Sequence, residues 1–237
     1  MVVSGHAAAV RDELEALRDN KRAAFIAPYL GAVTGGYGEG DVILGMPVPA
    51  QRKVAGAHRD ASLADCAELL RSAVHEHRFV ALAIMRYRFE RSHGPEREEI
   101  ADLYLSQRAH VNNWDLVDAS APYLLADRVR RAPRKLIDPL LRSSVVWDRR
   151  IGMLSTFSLI KAGELTETVR AAEKLLDDEH DLIHKATGWM LREVGKRDVE
   201  VLRAFLEAHA AEMPRTALRY AIERLPKEER ARWMTAS

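Results

Sequence analysis

Apolar positions recur at three- and four-residue spacing along almost the whole chain, with charged residues between them. That period is one face of an α-helix, and the alternation expected of strands is nearly absent. The pattern predicts helices near residues 7–19, 47–57, 62–73, 77–91, 96–110, 113–127, 135–143, 147–162, 165–176, 182–196, 199–211, 214–224 and 227–234. Glycine and proline fall mostly at the joints: Gly94-Pro95, Pro133, Pro139, Gly163, Pro214 and Pro226. Pro214 suits a first helical turn, where a missing N–H is harmless. Residues 31–40, GAVTGGYGEG, stand apart. No strand precedes them and no Gly-Lys-Ser/Thr follows, so they read as a flexible connector rather than a phosphate loop.

The helical pattern repeats. LLRSAVHEHRFVALAIM starts at residue 69, LLRSSVVWDRRIGMLST at 140 and LLDDEHDLIHKATGWML at 175. The second interval is 35 residues and the first is 71, close to twice that, which places a fourth copy near 104, at YLSQRAHVNNWDLVDAS. Helix pairs repeating at this period predict an all-α superhelical solenoid of antiparallel HEAT-like pairs, each burying its apolar face against its neighbours. Residues 1–237 are expected to form one such domain. Residues 1–45 would hold N-terminal helices and the glycine-rich connector, and 46–237 the repeats.

Counting from each repeat start aligns the copies. Offset 10 holds Phe79, Trp114, Arg150 and Lys185, and offset 14 holds Ala83, Asp118, Leu154 and Trp189. Four residues apart, the two offsets share one helix face. Offsets 12 and 13 are apolar or small (Ala81, Leu82, Leu116, Val117, Gly152, Met153), as packed positions should be. Stacking would gather two tryptophans, a carboxylate, an arginine and a lysine into one column. Singly, Trp114 and Trp189 fit as core anchors, and Asp118 as a helix carboxylate paired with Arg150. Their shared position favours a functional wall.

Composition narrows the setting. Apolar residues at 47% and charged residues at 30% suit a soluble globular chain long enough for a substantial core. The single cysteine, Cys66, excludes an internal disulfide. The N-terminus turns charged by Arg11, unlike a signal peptide, and no apolar run approaches membrane-spanning length. A cytoplasmic protein without membrane contact is expected. Residues 1–118 carry 14 Lys/Arg against 17 Asp/Glu, whereas 119–237 carry 22 against 18. The basic run RVRRAPRK at 128–135 reads either as a solvated loop or as a contact for an anionic partner.

NNWDLVDASAP, WDRRIGMLSTF, DLIHKATGWMLREVGKRD and MPRTALRYAIERLP resemble the AlkD family of alkylpurine DNA glycosylases, as does VILGMPVPAQRKVA near residue 43. The resemblance covers most of residues 29–227, and that family is built of HEAT-like repeats. It implies that Asp118 is the catalytic carboxylate and that Trp114 and Trp189 contact the lesion nucleotide. It also implies that Arg150, or adjacent Arg149, holds the DNA backbone; Lys185, placed on the same wall by the repeat register, is a further candidate DNA contact. Tyr29 matches an aromatic DNA contact, although YLGAVTGGYGEGD stands where relatives carry a lysine-containing stretch.

The implied activity is hydrolysis of the N-glycosidic bond of cationic alkylpurines, 3-methyladenine and 7-methylguanine, in duplex DNA. An alkylated purine is already a good leaving group, so one carboxylate stabilising the sugar cation suffices, where sugar hydrolases usually need two. Tryptophan faces attract the cationic nucleotide. Double-stranded DNA would be the partner of a monomer working with no cofactor and no metal. HDLIH at 180–184 mimics a paired-histidine zinc helix but lacks its glutamate and a third ligand. The rival reading is a non-catalytic repeat scaffold for DNA structures or proteins, since fold does not fix function.

Overall fold

The computed structural model describes residues 5–235 and is all-helical, with one isolated bridge between Val42 and Val74. No helix among these residues is long and apolar enough to cross a membrane. The chain divides into two compact units, 1–120 and 121–237.

The first unit holds α1 (His6–Ala16), α2 (Asn20–Ile26), α3 (Val48–Ala57), α4 (Leu63–Leu70), α5 (His75–Arg91), α6 (Pro95–Ser106) and the start of α7 (Trp114–Leu124). Its interior is built from Leu14, Leu44, Leu69, Leu70, Leu82, Ile84, Met85, Ile100 and Tyr104. α5 packs against both α3 and α4. Ser62 starts α4 with a reciprocal cap: its hydroxyl accepts from the Asp65 N–H, and Asp65 accepts from the Ser62 N–H.

The second unit holds α8 (Ala126–Arg131), α9 (Pro133–Leu141), α10 (Val146–Ser155), α11 (Phe157–Ala162), α12 (Thr166–Glu173), α13 (Asp181–Arg197), α14 (Val199–His209), α15 (Arg215–Ala221) and α16 (Lys227–Thr235). α9 packs on α10, α12 on α13, and α13 on both α10 and α15. Gly188 lets α15 approach closely, since a Cβ there would lie 2.3 Å from the Ala217 carbonyl oxygen.

Two long helices expected from periodicity are broken. The 147–162 stretch divides at Thr156, where the Ser155 and Thr156 hydroxyls turn back onto the Gly152 and Met153 carbonyls at 2.8 and 2.7 Å. Such bonds compete with the main-chain ladder. The 113–127 stretch ends its first helix just beyond Pro122, which cannot donate to that ladder. α2 was invisible to periodicity for a different reason: none of its residues is buried.

The repeat reappears as local geometry. Three residues into the copies that begin at 69, 140 and 175, Ser72, Ser143 and Asp178 accept the N–H of Val74, Val145 and His180 at 3.1, 3.1 and 2.9 Å. α5, α10 and α13 then start at the same register, 75, 146 and 181. The copy beginning at 104 has Gln107 at the turn position, and its helix starts four residues later, at Trp114. Trp114 therefore opens α7 rather than sitting one turn inside it.

Candidate active site

The exceptional copy is also the chemically loaded one. Trp114, Asp115 and Asp118 occupy the first turns of α7, and all three line a concavity in the first unit. Arg22, Ile26 and Tyr29 line it from α2 and the following turn, Gln51 and Arg52 from α3, and Phe79 from α5. It encloses about 920 Å³, open mouth included. Trp114 and Asp118 are each half-buried and one helical turn apart, so the carboxylate and the indole project from the same face. The Tyr29 ring meets Trp114 edge to face, centroids 5.2 Å apart at 81°. Tyr29 itself remains 67% exposed.

The glycine-rich segment holds Tyr29 in place and is a compact series of turns. The Tyr37 hydroxyl donates to the Tyr29 carbonyl at 3.2 Å, and the Gly38 N–H to Gly31 at 2.9 Å. Gly36 is required there, because a Cβ would lie 2.2 Å from the Gly31 carbonyl oxygen. The buried Asn113 amide donates to the Leu30 carbonyl at 2.8 Å, which fastens this turn to the residue preceding Trp114. The N-N-W-D run thus has one asparagine that positions both aromatic rings.

Beneath α7 lies a buried charge cluster that sequence reading missed. His75 donates from Nε2 to Asp115 at 2.8 Å, and its Nδ1 lies 3.5 Å from Asp41, which also pairs with Arg78. His75 is 2% exposed. Burial pushes its imidazole down, but the bonds to Asp115 and Asp41 outweigh that and hold it up at about 9, so it is a cation near neutrality. Asp41 is lowered by His75 and Arg78 against its own burial. Next to His75, the buried Glu76 carboxylate accepts the N–H groups of Leu44, Gly45 and Met46 at 2.9, 2.8 and 3.3 Å. This anchors the VILGMPVP segment that leads into α3. Asp41, His75 and Glu76 carry no motif signal, because their partners come from distant parts of the chain.

In the second unit, Arg149 is a clasp. It donates to the Ser143 and Ser144 carbonyls at 2.9 and 3.1 Å, and to both Asp178 oxygens at 2.6 and 3.3 Å. The equivalent residues act alike: Arg78 donates to the Ser72 carbonyl at 3.4 Å and pairs with Asp41, while His184 contacts the Asp178 carbonyl. His180 caps α13 by accepting the Leu182 N–H at 3.1 Å. Both histidines of HDLIH therefore serve one turn. Arg150 is 4% exposed and donates to the Leu182 carbonyl. Lys185 pairs with Asp181 at 2.6 Å, and the half-buried Trp189 donates to Glu193 at 3.2 Å.

The sequence matches the family described as DNA alkylation repair enzyme over residues 10–225. No curated protein matches it. Among solved structures, the chain is similar to a predicted DNA alkylation repair enzyme from Enterococcus faecalis. The TM-score is 0.68 at 17% identity, covering 89% of this chain and 97% of that one. At that identity the likeness speaks for the fold.

Proposed function

The chain belongs to the DNA alkylation repair enzyme family, and from that premise we propose that it hydrolyses the N-glycosidic bond of cationic N3- and N7-alkylated purines in duplex DNA. The observation that carries this reading is Asp118, Trp114 and Tyr29 lining one open concavity. Bond cleavage leaves positive charge on the deoxyribose, and Asp118 is the carboxylate that stabilises it and orients the attacking water. The Trp114 and Tyr29 rings attract the cationic nucleotide, each such contact contributing roughly 0.5–2 kcal/mol. His75 neutralises Asp115, so the two carboxylates of α7's first turns differ in role. In the second unit we assign DNA contacts to Trp189 and Lys185, give Arg149 to the clasp, and leave the buried Arg150 to its bond with the Leu182 carbonyl rather than to a phosphate. The recurring turn geometry supports HEAT-like helix pairs as the repeating unit.

The test is single-turnover release of 7-methylguanine from methylated duplex. Asp118→Asn keeps size and hydrogen bonding but removes the charge, and release should slow by roughly 10²–10³, the usual cost of one preorganised electrostatic contact. A folded variant releasing base at the wild-type rate would remove Asp118 from catalysis. Neutral uracil should not be released, because no acid assists its departure. Wild-type protein that binds DNA yet releases no alkylpurine would leave the non-catalytic scaffold reading.

A further inference from the structure

Among the described residues, seven of the nine exposed large hydrophobics fall at positions 17 to 48: Leu17, Phe25, Tyr29, Val33, Tyr37, Val42 and Val48. Phe25, on α2, is the extreme at 83% exposed. α2 buries no side chain, so its sequence is not explained by packing. Its backbone is nevertheless fixed. Asp19 caps it by accepting the Arg22 N–H at 3.0 Å and donates its own N–H to Leu44 at 2.9 Å. Gly45, at φ +87°, lets the two segments touch, for a Cβ would lie 2.3 Å from the Asp19 oxygen and 2.5 Å from the Ala23 nitrogen. A helix held rigidly by its backbone leaves its side chains available for something else.

Their arrangement is ordered. Arg22, Ile26 and Tyr29, spaced i, i+4 and i+7, form the stripe that lines the concavity. Lys21 and Phe25, also four apart, form the adjoining stripe, and both are exposed. Charge is segregated here. Residues 1–118 are net acidic, yet residues 20–38 contain Lys21 and Arg22 with no Asp or Glu. Residues 42–59 likewise contain Arg52, Lys53 and Arg59 with no acid. Exposed Arg52, on α3, lines the same concavity as α2's stripe. Cations beside a protruding aromatic ring, at the rim of a site for a nucleotide, match the backbone and groove of a duplex.

We propose that α2 is a DNA-docking element: Lys21, Arg22 and Arg52 contact phosphates flanking the lesion, and Phe25 enters the groove as an apolar wedge. The proposal rests on the DNA-repair reading above but not on its chemistry.

The experiment measures binding of an undamaged duplex of about 20 base pairs across a salt series, alongside single-turnover release of 7-methylguanine. Lys21→Gln, Arg22→Gln and Arg52→Gln together should flatten the log affinity against log salt slope by about 0.9 per cation removed. Phe25→Ser should keep the slope and the melting temperature while weakening affinity about tenfold or more, the loss expected for a phenyl ring no longer desolvated. Its release rate at saturating protein should match wild type, with half-saturation shifted to higher protein concentration. Wild-type slope and affinity in the triple variant, or wild-type half-saturation for Phe25→Ser, would overturn the proposal. So would losses seen only against a polyglutamate competitor, which would assign the surface to an acidic protein. Failure of the chemistry reads differently: Asp118→Asn would then release base normally while the α2 variants still lost duplex affinity.

Discussion

Replacing His75 by glutamine should cost the protein more stability than any change at an exposed residue of the site, and by an amount that depends on pH. The imidazole sits between Asp115, 2.8 Å from Nε2, and Asp41, 3.5 Å from Nδ1, with Arg78 paired to the same Asp41 oxygen. Side-chain exposures of 2% for His75 and 5% for Asp41 leave little solvent to screen the cluster. Raising the imidazole from 6.5 to about 9 corresponds to about 3 kcal/mol of stabilisation at 1.36 kcal/mol per pKa unit. Breaking a buried ion pair by removing one partner typically costs 3–5 kcal/mol, which is consistent. At about 2–4 °C per kcal/mol for a chain of this size, His75→Gln should melt roughly 6–12 °C below wild type.

The sign follows from the direction of the shift. A folded-state pKa above the unfolded one gives stability that is complete below about pH 6.5 and lost as pH rises through about 9. The nearby His77 is held down at about 4, chiefly by burial, and stays neutral throughout that window. Thermal melts of both proteins at pH 6, 8 and 10 should therefore show a gap that is widest at pH 6 and shrinks by pH 10. A gap below about 2 °C at pH 6, or one independent of pH, would refute a buried imidazolium at this position.

Gly45→Ala should destabilise by roughly 2–4 kcal/mol, combining left-handed backbone strain with the collision against Asp19 and Ala23, and chemical denaturation would measure it. An unchanged midpoint would show that the Leu44–Met46 turn does not brace α2. Arg149→Ala should cost about 3 kcal/mol by stranding the buried Asp178 carboxylate, yet leave the salt dependence of duplex binding unchanged. Arg150→Ala should likewise destabilise the protein, by loss of its buried bond to the Leu182 carbonyl, and leave that dependence unchanged. A slope flattened by about one phosphate contact in either variant would return that arginine to the DNA interface.

The helical period was legible because it reports burial. Offsets 12 and 13 of the repeat, chosen from sequence as the packed side, are buried in each of the three copies named: Ala81, Leu82, Leu116, Val117, Gly152 and Met153. Thirteen predicted helices recover most of the observed ones, and the misses have physical causes. α2 has no buried face and hence no period to read, while the breaks at Thr156 and beyond Pro122 come from side-chain competition and a missing donor. Trp114 and Asp118 could be singled out because a single helix carries both, and Tyr29 because the resemblance carried it there.

What only the tertiary structure decided is what each charged residue does. Arg149 and Arg150 are adjacent in sequence, but one closes the Ser143–Val145 turn onto Asp178 and the other reaches the Leu182 carbonyl. Asp115 and Asp118 are three residues apart, yet the role of Asp115 is set by His75, forty residues away, and that of His75 by Asp41 in a loop. Hydrophobic burial imposes a local period that a single sequence displays. Electrostatic partnership depends on distance through space, and a folded backbone alone supplies that.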